Sequence, residues 1–349
     1  MQSYENLINA LTRIEGADRE SMEGARAHWN NIAKPVGSLG LLEDTVVRLA
    51  GIQRQPDVRI DKRAVLVMCA DNGVLAQGIA CTPGEITAVM ASFIAAGRSS
   101  VCIMADQAGA DVITVDMGMF RALEQSSILD RRIAAGTADM TQGPAMTRAE
   151  AQKAILVGVE LVSDMKSLGY NILATGEMGI GNTTTSSALA SQLLGLSPEA
   201  VTGRGAGLDD EGLNRKIQAV KGAIEVNHPD PDDPLDLLHK LGGFDIAALC
   251  GVFLGGALNG IPVLIDGLIS GVAALLASRI CPTSQDYMLA SHQSAEPAGG
   301  MILSALGLSP LIRADMRLGE GTGAVAALPL IDMALAVYID LMTYKDIGM

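Results

Sequence analysis

The chain has 349 residues, 49% of them hydrophobic and only 3% aromatic, with 39 glycines and a formal charge of −14 at neutral pH. That length suffices for one large domain, or for a main domain with a smaller appendage, around a sizeable core. The acidic balance and the lack of any Lys/Arg cluster exclude a nucleic-acid protein, because backbone binding needs a basic face that releases counterions.

The first stretch, MQSYENLINALTRIEG, carries acids early and no basic region ahead of an apolar run, so it does not read as a signal peptide. Leu7, Ile8, Leu11 and Ile14 recur at helical spacing, and a second apolar stripe runs through Leu41, Leu42, Val46, Val47 and Leu49. Residues 1 to about 55 are therefore expected to be helical, interrupted by the Pro- and Gly-rich loop NNIAKPVGSLG. From Arg63 the texture changes: AVLVMCADNG is a continuous apolar run ending in polar residues, the expected look of a buried parallel strand entering a loop. The same arrangement returns in ADVITVDMG (110–118), NILATGEMGIGN (171–182), IPVLIDG (261–267) and DYMLASH (286–292), with helical stretches between them. Such alternation predicts an α/β fold, a parallel sheet flanked by helices, with ligands bound beyond the carboxyl ends of the strands. The charge-free stretch between Asp245 and Asp266 is broken by Gly251, Gly255, Gly256, Asn259, Gly260 and Pro262, so helix, turn and strand are expected there and not a membrane span. Cys69, Cys81, Cys102, Cys250 and Cys281 lack C-x-x-C spacing and read as small core residues of a cytoplasmic protein.

Candidate chemistry lies at the strand ends. In ATGEMGIGNTTTSSA a strand feeds a loop with Gly176, Gly179 and Gly181, and Asn182, Thr183, Thr184 and Thr185 open a helix. Glycine lets backbone amides approach an anion and the helix start adds unpaired donors, which suits a phosphate; an ordinary glycine turn with an N-cap explains the pattern equally. In VTGRGAGLDDEGLNRK (201–216), Arg204 and Lys216 are candidates to meet an anion, and Asp209 and Asp210 to cap a helix or contact sugar hydroxyls. HPDPDDPLD (228–236) lacks calcium-loop spacing and reads as a solvated turn that caps a helix. Gly319, Gly321 and Ala324 fit a G-x-G-x-x-A fingerprint with Asp340 in range, but that aspartate lies in a terminal helical pattern with no βαβ unit to complete, so a dehydrogenase is disfavoured. Between those glycines, Glu320 is either an acid that caps a helix or a base whose affinity for protons is raised in an apolar pocket shared with Leu318. His292, in SHQSAEP, is expected to be structural.

Taken together, KPVGSLG (34–40), CADNGV (69–74), GEMGIGNTTTSSAL (176–189), GRGAGLDDEGLNRK (203–216), GGFDIAAL (242–249), PVLIDG (262–267), SHQSAEP (291–297) and RLGEGTGA (317–324) resemble the nicotinate-nucleotide:dimethylbenzimidazole phosphoribosyltransferases over nearly the whole chain. The resemblance implies a parallel, Rossmann-like sheet with a small helical domain built from both ends, here 1–55 plus about 325–349, beside a large catalytic domain over 56–324. It implies transfer of 5-phosphoribose from nicotinate mononucleotide to the lower-ligand base of a cobamide, with neither metal nor bound cofactor, and a homodimer or a heterodimer with a paralogous subunit. By position it implies Glu320 as the catalytic base, Glu177 as a second acid, the Gly176–Thr184 loop with Gly205 and Lys216 on the phosphoribosyl group, and Thr82, Met90 and Leu318 on the acceptor side. Well-known relatives offer a serine and a glutamine where Thr82 and Met90 stand. That departure raises the expectation of a phenol or p-cresol acceptor in place of dimethylbenzimidazole, against the alternative of neutral drift. A nucleotide-binding subunit without activity is the competing reading.

Overall fold

The computed structural model describes residues 3–123 and 127–348. Residues 1, 2 and 349, the outermost ends of the expected helical segments, lie outside them. Among the described residues, six parallel strands form one sheet in the order β3-β2-β1-β4-β5-β6. They are β1 (Arg63–Ala70), β2 (Ala110–Gly118), β3 (Ile128–Asp130), β4 (Ile172–Met178), β5 (Val263–Ile265) and β6 (Met288–Ala290). Five occupy the expected apolar runs; β3, three residues at the sheet edge, has too little pattern to announce itself.

Both faces of the sheet are covered, which is why its strands are apolar throughout rather than alternating with polar residues. In β1, Ala64, Leu66, Met68 and Ala70 enter one core while Val65, Val67 and Cys69 enter the other. The first core is closed by helices including Arg148–Ser167, Phe244–Asn259 and Gly267–Ile280. The second is closed by Arg19–Asn31, Leu41–Gln53, Ile86–Ala95, Ser100–Gln107 and Thr322–Asp340. The charge-free stretch before Asp266 divides as expected into helix Phe244–Asn259, a left-handed Gly260 and β5, and the helix core is buried on every side up to Ala257. Helix Thr322–Asp340 is long and apolar enough to cross a bilayer, yet Ala324, Val325, Leu328 and Ile331 are spent against the sheet.

The two chain ends meet on this second face. The Tyr338 ring packs edge-on to Trp29 at 5.0 Å, its carbonyl contacts His28 Nε2 at 2.7 Å, and the Tyr344 hydroxyl donates to Lys34 O at 2.9 Å. Within KPVGSLG, Lys34 Nζ donates to Glu43 Oε1 at 2.5 Å in a largely buried pair. The first helix, Tyr4–Leu11, instead buries Leu7 and Leu11 in the opposite core.

The sheet changes winding direction between β1 and β4, and loops leaving the two strands part there to open a crevice above the carboxyl ends. That crevice is the site.

Candidate active site

A cleft of about 280 Å³ lies over the ends of β1, β4, β5 and β6. One wall is the segment after β1 with Thr82, Ile86 and Met90; the opposite wall carries Arg204, Gly205 and Leu208. The floor holds Glu177, Gly179, Gly181, Asn182, Thr183 and Asp266, and Leu318 and Glu320 close one end. Residues far apart in the chain thus converge on one space, on whose rim Leu318 is 59% exposed.

Glu320 is 6% exposed, and its backbone is left-handed at φ 61°, between Gly319 at 85° and Gly321 at 100°. Three successive left-handed residues throw the chain from the loop into the helix, a path that only glycine follows without strain. The open question about this acid is answered by its neighbour in space. Asp266, at the end of β5, accepts from Gly321 N at 3.1 Å, Gly323 N at 2.8 Å and Ala324 N at 3.0 Å, so it is Asp266 that caps helix Thr322–Asp340. The Glu320 carboxyl turns away from its own helix, toward the start of Ser100–Gln107, where Val101 N lies 3.4 Å from Oε2. Burial raises its proton affinity above the usual carboxylate range; the Val101 amide and the Ser99 hydroxyl pull it back, and the Asp266 charge adds to the rise.

Glu177 is buried beside it. Oε2 accepts from Asn182 Nδ2 at 2.5 Å, and burial pushes the group up to about 8, eased by Asn182 and reinforced by Asp245 and Asp266. Gly176, expected in the phosphoribosyl loop, is not on the cleft surface. Its α-carbon packs on Glu320, and an added Cβ would collide with the Glu320 carbonyl and lie 2.8 Å from its carbon. Gly176→Ala must therefore displace Glu320. It is expected to cost about 1–3 kcal/mol in stability, by chemical denaturation, and about 10²-fold in turnover through misplacement of a reacting group.

Lys216 is fully enclosed, 0% exposed, behind the wall. Nζ donates to Thr183 Oγ1 at 2.8 Å and Gly203 O at 3.0 Å, and burial brings its pKa down to about 8 against the opposing Glu296 charge. Thr184 is likewise buried behind the floor, its hydroxyl without a protein partner. Arg204, a candidate anion ligand, is engaged with Leu208 O at 2.9 Å and Asp210 at 2.5 Å. Asp209 takes the capping option, accepting from Gly212 N at 2.7 Å, and Asp233 caps helix Pro234–Leu241 as expected of the acidic turn. All five cysteines are free, but Cys81 is no core residue: it is exposed and lines the cleft. His292 lines the cleft too, with Nδ1 3.1 Å from Ser291 Oγ and 3.9 Å from Asp266 Oδ1.

Asp266 and Glu296 were not singled out from the sequence. Glu296 accepts from Gly205 N at 3.0 Å and so holds the second glycine segment. The only sequence trace of Asp266 is an Asp-Gly pair after the apolar run of β5; its three amide partners lie 55 to 58 residues further on.

A family model described as phosphoribosyltransferase matches residues 14–349. The chain is similar to the nicotinate-nucleotide–dimethylbenzimidazole phosphoribosyltransferase of Ruminiclostridium cellulolyticum, with 44% identity over 344 residues, 99% of this chain and 97% of the relative. That of Acetivibrio thermocellus is 44% identical over 340 residues, 97% of each chain. The crystal structure of CobT from Thermus thermophilus superposes with a TM-score of 0.90 at 39% identity, covering 95% of this chain and 99% of that one.

Proposed function

The chain belongs to the nicotinate-nucleotide–dimethylbenzimidazole phosphoribosyltransferase family, and from that premise we propose that its cleft moves 5-phosphoribose from nicotinate mononucleotide to an aromatic lower-ligand base or phenol. The observation that carries this reading is the burial of two acids, Glu320 and Glu177, at the end of a cleft whose side wall is apolar. Nicotinate departs from a positively charged ring nitrogen, so the leaving group needs no proton. The demanding step is removal of the acceptor's N–H or O–H proton as it attacks C1 of the ribose. Glu320, ionised but largely dehydrated, takes that proton. Amides of Gly181 and Thr183, where helix Asn182–Leu194 begins, hold the phosphate, with Lys216 bracing Thr183 from behind, which fixes the sugar for in-line attack and inversion from β to α. A cytoplasmic dimer, with a second copy or a paralogous chain as partner, completes the reading.

Thr82 and Met90 line the wall after β1, the wall that this reading gives to the acceptor. A thioether there offers no hydrogen to a benzimidazole nitrogen and favours a flat apolar ring, which fits phenol or p-cresol as well as dimethylbenzimidazole. The test is nicotinate release by the purified chain with the three acceptors in competition, the products resolved by mass. Met90→Gln is expected to shift the product ratio about tenfold toward dimethylbenzimidazole, the worth of one hydrogen bond. Preference for dimethylbenzimidazole in the unaltered chain overturns the phenol reading. Nicotinate release with no acceptor at all would overturn the transfer reading, and complete absence of release would leave a nucleotide-binding subunit.

A further inference from the structure

The GGFDIAAL segment places an acid beneath the cleft for which the transfer chemistry has assigned no task. Asp245, at the start of helix Phe244–Asn259, is 0% exposed and does not reach the cleft surface. Its carboxyl is tied to Glu177 by one amide: Asn182 Nδ2 donates to Glu177 Oε2 at 2.5 Å and to Asp245 Oδ2 at 2.9 Å. Both hydrogens of that amide are thereby committed to carboxyls, which fixes the Asn182 side chain and spaces the two acids on either side of it. The backbone is fitted closely around Asp245. A Cβ on Gly179 would lie 3.0 Å from Oδ2, and one on Gly243 would collide with Oδ1.

Two carboxyls buried this close together resist ionising together, because each negative charge disfavours the other in a medium that screens poorly, and the amide that donates to both offsets only part of that cost. We propose that Asp245 is a positioning residue for the transfer reaction: its charge, held at a fixed spacing on the far side of Asn182, helps keep Glu177 an uncharged carboxylic acid that turns an O–H, not a negative charge, toward an anionic nucleotide. The proposal rests on the functional reading above. It explains how a cleft that also contains Asp266, Glu296 and Glu320 admits a ligand carrying a phosphate and a carboxylate. Burial and its neighbours push Glu177 up to about 8 and Asp245 only to about 6, so of the two Glu177 is the one that keeps its proton near neutral pH.

The titratable groups facing Glu177 are Asp245, Asp266 at the end of β5, the Cys69 thiol on β1 and Glu320, whose own amide donates to the Glu177 carboxyl. Asp266 in turn faces His292, and Asp245 faces Asp71.

The experiment is the pH dependence of kcat/KM for nicotinate mononucleotide in the unaltered chain, in Asp245→Asn and in Glu177→Gln, with thermal melts alongside. Removing the Asp245 charge lets Glu177 ionise at lower pH, so the alkaline limb should move down by about one pH unit, a loss of about fivefold near pH 8 that approaches tenfold at higher pH. That loss should appear in KM and be recovered near pH 6. Glu177→Gln should abolish the alkaline limb, whatever its absolute rate. A loss by the same factor at every pH, or an unmoved limb in a folded Asp245→Asn chain, overturns the proposal. So does an alkaline limb that survives Glu177→Gln, even where Asp245→Asn does not fold. An unaltered chain that releases no nicotinate defeats the functional reading instead, whereas an active one with unmoved limbs defeats this proposal alone.

Discussion

Glu320→Gln should bind nicotinate mononucleotide normally and turn it over about 10²- to 10⁴-fold more slowly, the usual scale for loss of a general base. The glutamine keeps the size of the side chain and leaves an oxygen for Val101 N, 3.4 Å from Oε2 in the acid. What it removes is the capacity to accept a proton. A pH profile sharpens the expectation. Burial raises Glu320 above the ordinary carboxylate range, and only the ionised form acts, so turnover should fall as pH drops through that raised value. The acid limb should vanish in the variant. Single-turnover nicotinate release separates this from a binding defect, and a variant that retains more than a tenth of the turnover removes Glu320 from the chemistry.

Asp266→Ala should be the most damaging change to both fold and activity. The carboxyl satisfies three amides at the start of helix Thr322–Asp340, all in a buried setting. Deleting it leaves those donors without a partner, a loss of about 3 kcal/mol once some relaxation is allowed. Turnover should fall at least about 10²-fold as well, because Glu320 directly precedes the capped turn and cannot hold its place without it. Urea denaturation and nicotinate release check the two effects together. Asp266→Asn, which keeps one acceptor oxygen, should recover part of the stability; an unchanged midpoint in Asp266→Ala would show that the cap carries no weight.

Much of this architecture was legible from local pattern. Apolar runs that end in polar residues marked β1, β2, β4, β5 and β6 because a strand buried on both faces has no polar positions until it ends. β3 escaped because three residues at a sheet edge carry no period. The cleft membership of Gly179, Gly181, Asn182, Thr183, Gly205, Thr82, Met90, Leu318, Glu177 and Glu320 followed from motif position. What local reading could not supply was the partner of each group. Whether Glu320 capped its helix depended on Asp266, brought in from another strand end. Gly176 looked like part of an anion loop, whereas its missing side chain makes room for the Glu320 backbone. Lys216 looked like a ligand, whereas it is a fully enclosed brace for Thr183 and Gly203. Glycine and charge announce that something close or polar occurs; only the tertiary structure says what it meets.

The left-handed run at Gly319, Glu320 and Gly321 sets two selective pressures against each other. At the middle position a long side chain is held where glycine or asparagine would be more comfortable, a strain on the order of 1 kcal/mol. A screen for heat tolerance alone would therefore drift toward discarding the acid, while a screen for growth would restore it. Improvement of this protein by directed evolution should read out product at every round, since a melting curve would record loss of this acid as a gain.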